Sequence, residues 1–444
     1  MFKVFSPAEG VKVIGVETNS FKTGEIIVSM AMPMGNTHAA NAVLLGLLKH
    51  SCEKFPNFSL LNGKLDDLYG ASLSYSIAKQ GDSQVLKLHM SFLDDRFALN
   101  GEKIALDCCT LLADMIFFPN VKDQSFGEEQ LNLEKRLLIQ LIEEENDDKR
   151  LYARNKCIEH LCYNELYAKS KYGTKEEIGN LTMGKVFAAW QDILKTALFG
   201  ITVVGSCKAE EISEIFKERF SSIDRRPVTI ETKFSPKPGR SGRHDETQEI
   251  NQGKLVIGFR TCMEFARDRM WENVVMNDIF GGGTYSYLFS VIREKMNLAY
   301  YCRTSLIASK GLLVLEAGID TDKEKAVTAG IIRELNNIRL GKATEELLQN
   351  SKRSLKERYT LTSPEAIAAF YDQQFLLNEI LTPEEAIEGI EKVTLEDVKM
   401  CAKSLALGSI FMLCAKEQVE KEAKEQTEKR EQTEKENAVE EEEK

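Results

Sequence analysis

The stretch Phe280-Gly-Gly-Gly-Thr-Tyr-Ser-Tyr-Leu-Phe-Ser-Val-Ile-Arg-Glu-Lys-Met-Asn-Leu-Ala-Tyr300 organises the chain. Three glycines open it. An amphipathic segment from Tyr285 to Met296 follows, and Leu298-Ala-Tyr-Tyr begins a strand. Consecutive glycines can turn several backbone N–H groups toward an anion, so a phosphate cradle is one reading. The stretch has no Gly-Lys-Ser/Thr ending and no G-x-G-x-x-G spacing, and no apolar strand runs straight into the glycines. These gaps favour the other reading: a hinge at Gly281, Gly282 and Gly283, before a helix that presents Arg293.

At 444 residues the chain is too long for one ordinary domain. A hydrophobic content of 43% is that of a globular protein with real cores. The net charge of -11 argues against a general nucleic-acid binder and against an anionic membrane surface as partner. The N-terminus, Met1-Phe-Lys-Val-Phe-Ser-Pro, has no apolar core of a secretory signal. No window reaches about 18 uninterrupted apolar residues, so no membrane span is expected. The ten cysteines are scattered without a C-x-x-C pair, as free thiols in a reducing cytoplasm would be. A cytoplasmic location is expected.

Outward from the glycine stretch, the chain alternates strands and helices. Val11–Val16 and Glu25–Pro33 read as strands, and Ser72–Ile77 and Gln84–Phe92 as a hairpin. Helices are expected at about 39–54, 60–69, 100–117, 127–147, 151–166, 183–194 and 210–220, with a strand at 199–205. Residues 224–252 turn polar and rich in Pro and Gly, which predicts a linker. Beyond it come a strand from Lys254, a helix at 265–280, strands at 298–307 and 311–319, helices at 323–339, 344–359, 363–377 and 394–404, and a strand at 409–414. Thr182-Met-Gly-Lys-Val with the strand Ile201-Thr-Val-Val-Gly-Ser matches Thr394-Leu-Glu-Asp-Val with Ile410-Phe-Met-Leu-Cys-Ala. Leu68-Tyr-Gly-Ala-Ser-Leu-Ser-Tyr matches Leu298-Ala-Tyr-Tyr-Cys-Arg-Thr-Ser. An internally duplicated α+β domain of about 200 residues follows. The expected domains are 1–225 and 253–415, joined by a linker at 226–252. From Lys416 to Lys444 the chain holds twelve Glu, six Lys and one Arg, too polar to bury a core, and reads as a solvated charged tail.

Residue chemistry alone points to no enzyme. The five histidines, His38, His50, His89, His160 and His244, include no His-x-x-x-His pair that would place two imidazoles on one helix face. His89 alternates with apolar residues in a strand and reads as structural. There is no Gly-x-Ser-x-Gly elbow. The run Glu143-Glu-Glu-Asn-Asp-Asp148 points several ways around a helix and reads as a solvated face.

The glycine stretch and the duplication together resemble the insulinase/pitrilysin-like metallopeptidases, in the group that includes mitochondrial processing peptidase. That family carries Gly-Gly-Gly-x-x-Ser-x-Leu-Phe-x-x-Val/Ile-Arg-Glu-Lys-x-x-Leu-Ala-Tyr. Here it stands as Gly281, Gly282, Gly283, Ser286, Leu288, Phe289, Ile292, Arg293, Glu294, Lys295, Leu298, Ala299 and Tyr300. The resemblance spans roughly residues 8–415. It implies two duplicated domains, each a mainly antiparallel sheet packed with helices, forming a clamshell.

In that family the N-terminal half carries His-x-x-Glu-His and a later Glu, which hold zinc and activate its water. Aligned on the helix from Asn41 to Cys52, those positions are Gly46, Lys49 and His50, and the distal Glu falls at Leu141. Glycine and leucine cannot bind zinc, lysine cannot replace a carboxylate base, and a lone imidazole does not hold the ion. No metal or catalytic residue is therefore expected in this chain. Arg293 and Tyr300 match the pair that contacts the backbone of a bound substrate peptide. A bland reading of both is open: Arg293 pairing with a carboxylate and Tyr300 packing in a strand. The resemblance thus implies a zinc-less subunit, similar to the bacterial one associated with elongation factor P modification. Its expected partner is a catalytic insulinase-like zinc peptidase. The alternatives are a structural or peptide-binding homodimeric module and a peptidase with a zinc site rebuilt around His50.

Overall fold

The computed structural model describes residues 2–235, 237–238, 241–261, 269–416 and 418. The expected tail lies outside the described residues except for Lys416 and Gln418, as does the first part of the expected helix at 265–280. The chain packs as two compact units. One comprises Met1–Glu144, Lys169–Lys233 and Thr360–Glu385; the other comprises Glu145–Ala168, Phe234–Tyr359 and the described residues from Ala386 onward.

The strands are β1 (Phe2–Phe5), β2 (Val11–Glu17), β3 (Thr23–Pro33), β4 (Ser72–Gln80), β5 (Ser83–Leu93), β6 (Leu198–Gly205), β7 (Gly242–Gln248), β8 (Gly253–Thr261), β9 (Tyr301–Ile307), β10 (Leu312–Ile319) and β11 (Leu405–Ala415). The helices are α1 (His38–Leu48), α2 (Phe58–Asp67), α3 (Ile104–Phe117), α4 (Glu128–Asp147), α5 (Lys149–Leu161), α6 (Lys175–Gly179), α7 (Met183–Thr196), α8 (Ala209–Phe220), α9 (Met270–Gly281), α10 (Glu324–Arg339), α11 (Glu345–Tyr359), α12 (Pro364–Asp372), α13 (Pro383–Lys392) and α14 (Leu395–Ser404). No helix among the described residues is long and apolar enough to cross a membrane.

The first sheet runs β1-β2-β6-β3-β5-β4 and the second β7-β11-β8-β10-β9. Within each, one pair is parallel, β2 with β6 and β7 with β11, and the rest are antiparallel. Position for position the second sheet repeats β2-β6-β3-β5-β4, which is the duplication expressed as topology. The matched threonines repeat their role too. Thr182 and Thr394 are N-caps of α7 and α14, their side chains accepting from Lys185 N and Asp397 N.

Each sheet is covered on both faces. On β3, Ile26, Val28, Met30 and Met32 join the main core with α1, α3 and α7. The alternate residues Ile27 and Ala31 face the other way, against α12. That explains a strand that is apolar along its whole length. In the second unit α5 covers β8 and β11, packing Cys157, Ile158 and Leu161 against Val256, Phe411 and Leu413. So α5, from the first half of the sequence, belongs to the second sheet, and α12, from the second half, belongs to the first.

Residues 226–252 are not a plain linker. Lys233 N donates to Asp82 Oδ2 at 2.9 Å, tying the start of the stretch to the first unit. Residues 242–248 form β7, the counterpart of β2. Its sequence, Gly-Arg-His-Asp-Glu-Thr-Gln, carries no apolar alternation, so its strand conformation comes from pairing with β11 along its length.

Candidate functional site

The residues aligned with the family's zinc motif lie at the end of α1. This helix is buried along its whole length, and Lys49 is its C-cap, so Lys49 and His50 sit just past the last helical residue. The side chain that meets them is Glu134 of α4, not Leu141. Glu134 is 5% exposed. Its Oε1 lies 2.9 Å from His50 Nε2 and its Oε2 lies 3.9 Å from Lys49 Nζ. The His50–Glu134 approach is close but lacks hydrogen-bond alignment, and each of these two atoms is buried. Leu141 packs on the hydrophobic core of the unit. Glu134 and Leu141 are seven residues apart, two helical turns on one face, so the helix was legible and the residue was not.

Gly46 has a specific purpose here. A Cβ at this position would collide with Glu134 Oε2, so the missing side chain lets the carboxylate lie on the α1 backbone. Lys49 Nζ also stands 3.9 Å above the ring of Tyr75 on β4, and His50 meets Phe58 of α2 edge-on at 6.1 Å. The zinc ion of the family's active members does not fit this arrangement. Gly46 offers no donor, and an ammonium stands beside the only buried carboxylate of the site. Among the described residues no group of three or more His, Cys, Asp or Glu is placed to hold a metal.

The second candidate group is built on the glycine stretch. Gly281, Gly282 and Gly283 all avoid left-handed φ, so they are not there for an unusual backbone conformation. They are there for space. A Cβ would stand 2.7 Å from Thr304 Oγ1 at Gly281, 2.6 Å from Asp278 Cα at Gly282 and 2.7 Å from the Tyr285 ring at Gly283. The expected hinge is a packed joint. Buried Asp278 locks it, accepting from Tyr285 Oη at 2.5 Å and Ser351 Oγ at 2.7 Å, with Arg358 Nη2 at 3.4 Å. Burial, then the bond to Asp278, pushes the Tyr285 hydroxyl up to about 12.

The joint leads into Leu288–Lys295, a helical segment wound as a π-helix, with its turn carried on by Met296 N donating to Val291 O at 2.9 Å. Such widened turns are rare and frequent at functional sites. Leu288 and Ile292 are buried and hold the segment down, while Arg293 points to solvent. The Arg293 guanidinium stacks on Phe289 at 4.6 Å and forms no ion pair among the described residues. Tyr300, immediately before β9, is 61% exposed. Its N–H donates to Gly318 O at 2.9 Å and its hydroxyl to Asp320 Oδ1 at 3.2 Å. A hydrogen bond from Lys323 holds the Asp320 carboxyl below its ordinary range. β9 is an edge strand of its sheet, as is its counterpart β4. Edge strands present unpaired backbone groups to which an extended peptide can add.

Residues 180–355 match the model of a family described as the peptidase M16 inactive domain. The chain is 25% identical over 405 residues to the probable inactive metalloprotease YmfF of Bacillus subtilis, covering 90% of this chain and 95% of that protein. Among solved structures, a conserved protein from Enterococcus faecalis superposes with a TM-score of 0.84 at 26% identity, over 94% of this chain and 99% of that one. A peptidase M16 inactive domain from Pseudomonas fluorescens superposes with a TM-score of 0.77 at 18% identity, over 93% and 98%. The doubled sheet, the glycine joint and the near full-length likeness to YmfF agree: the chain resembles the insulinase-like (M16) metallopeptidases, and its residues 180–355 match the inactive domain of that family.

Proposed function

We propose that this chain is a non-catalytic, peptide-binding subunit that works with an insulinase-like zinc peptidase carrying His-x-x-Glu-His. The partner supplies the metal and its activated water. This chain supplies Arg293 and Tyr300 to the backbone of the substrate. The observation that carries the reading is the state of Arg293: it follows a buried, locked joint and is exposed, with no carboxylate paired to it among the described residues. A structural arginine would be paired. An exposed guanidinium and an exposed tyrosine seven residues on offer donors suited to a peptide carbonyl and to the oxyanion that develops from it.

The test is recovery of the chain from its own cells with whatever binds it, followed by peptide cleavage assays on the complex. Arg293→Ala should lower kcat/KM by about 10–100-fold and Tyr300→Phe by about 10-fold, with the complex intact on gel filtration. Unchanged cleavage in both variants rules out the substrate role. Recovery of a homodimer with no His-x-x-Glu-His partner favours the structural alternative.

A further inference from the structure

We propose that the Lys49 ammonium is the resident cation of the Gly46–His50–Glu134 site. It fastens the end of α1 to α4 as a bound ion does and keeps a divalent metal away from the His50–Glu134 pair. The inference rests on the geometry of α1, α4 and β4 and is independent of the peptide-binding reading.

Three observations interlock. Glu134 is buried, and a buried carboxylate needs compensating charge. Gly46 is what admits the carboxylate, since any side chain there would displace it. Lys49 answers it with its side chain 14% exposed and Nζ 3.9 Å from Oε2. The ammonium is held from its other side by the face of Tyr75 at 3.9 Å. Lys49 also caps the C-terminal end of α1, where the helix carbonyls favour a positive charge. A lysine donates and cannot accept, so it contributes nothing to a metal and repels one at this distance. The residues at the first-ligand and base positions are therefore matched to each other through Glu134: one makes room for the carboxylate and the other neutralises it.

Full-chain variants test this by thermal unfolding. Lys49→Met should lower Tm by about 5 °C or more, because it leaves a buried carboxylate with only His50 beside it. Lys49→Arg should keep most of the stability. Lys49→Met combined with Glu134→Gln should recover most of the loss. An unchanged Tm in Lys49→Met, or losses that simply add in the double variant, overturns the proposal. Zinc chloride should leave the wild-type Tm where it is. In Lys49→Glu it should raise Tm reversibly by chelator, and His50→Ala should abolish that rise. A zinc-dependent rise in the wild type that needs His50, or none in Lys49→Glu, overturns the exclusion of metal.

Discussion

The guanidinium of Arg225 donates to three backbone carbonyls, Glu9 O at 2.7 Å, Leu194 O at 2.6 Å and Ala197 O at 2.5 Å. It also lies 4.5 Å from the centre of the Phe220 ring. Burial moves it down to about 10, still charged at neutral pH. In sequence it opens the polar stretch Arg225-Arg-Pro and looks like the start of a linker. In the fold it closes the end of the first unit, because a planar fork can serve three carbonyls that one ammonium cannot. Arg225→Lys should cost about 2 kcal/mol or more in urea unfolding, and a loss within about 0.5 kcal/mol would show that the carbonyls find other donors. Glu134 carries the same lesson. Its neighbours Gly46 and His50 are more than 80 positions away, and nothing local in α4 distinguishes it from the other glutamates of that helix. Arg293 and Tyr300, by contrast, stand in one contiguous pattern with the three glycines, so what singles them out as candidates in the sequence is local.

α12 sits on the outer face of the first sheet through a mixed apolar and polar contact. Ala368, Tyr371 and Phe375 meet Ile14, Ile27, Ala31 and Val85. Ser29 Oγ donates to Asp372 Oδ1 at 2.7 Å, and Lys87 Nζ to Asp372 Oδ2 at 2.5 Å. On the same face Glu25 of β3 is buried near Glu365 of α12. Burial first, then Glu365, raise the Glu25 carboxyl from about 4.5 to about 7. Burial, reinforced by Lys87, moves His89 down, which keeps that face from gathering further charge. For Glu25 the folded state holds a proton that the unfolded chain has already lost between these two values. The contribution of this group is therefore intact below about pH 4.5 and falls as pH rises to about 7, by on the order of 3 kcal/mol. Glu25→Gln should remove that slope from urea midpoints measured from pH 4.5 to 7.5; an unaltered slope places the titration elsewhere. At this scale strands with apolar alternation were readable, while β7 was not, since its partner β11 lies some 160 residues further on. α12 was readable as a helix, but its address was not, because its apolar face fits either sheet equally well on sequence grounds.

The exchange of α5 and α12 makes neither half of the sequence self-sufficient. Residues 1–233 would leave the outer face of the first sheet bare and α5 without the strands it covers. Fragment 1–233 should bind a hydrophobic dye and unfold without a sharp transition, and a synthetic 360–385 peptide should restore cooperative unfolding and lower dye binding. A sharp transition in the fragment alone would show that α12 is dispensable.

The same exchange sets a timetable during synthesis. The first sheet has all its strands once residue 205 emerges, but its outer cover arrives with residues 360–385. At about 5–20 residues per second, the ribosome needs roughly 8–30 s to travel from residue 233 to residue 385. For that interval Ile14, Ala31 and Val85 lack Tyr371 and Phe375, the other buried members of their cluster, long enough for a nascent-chain chaperone to bind and release many times. Codon changes that slow translation between residues 233 and 360 should lower the soluble yield without altering the stability of the protein that does fold.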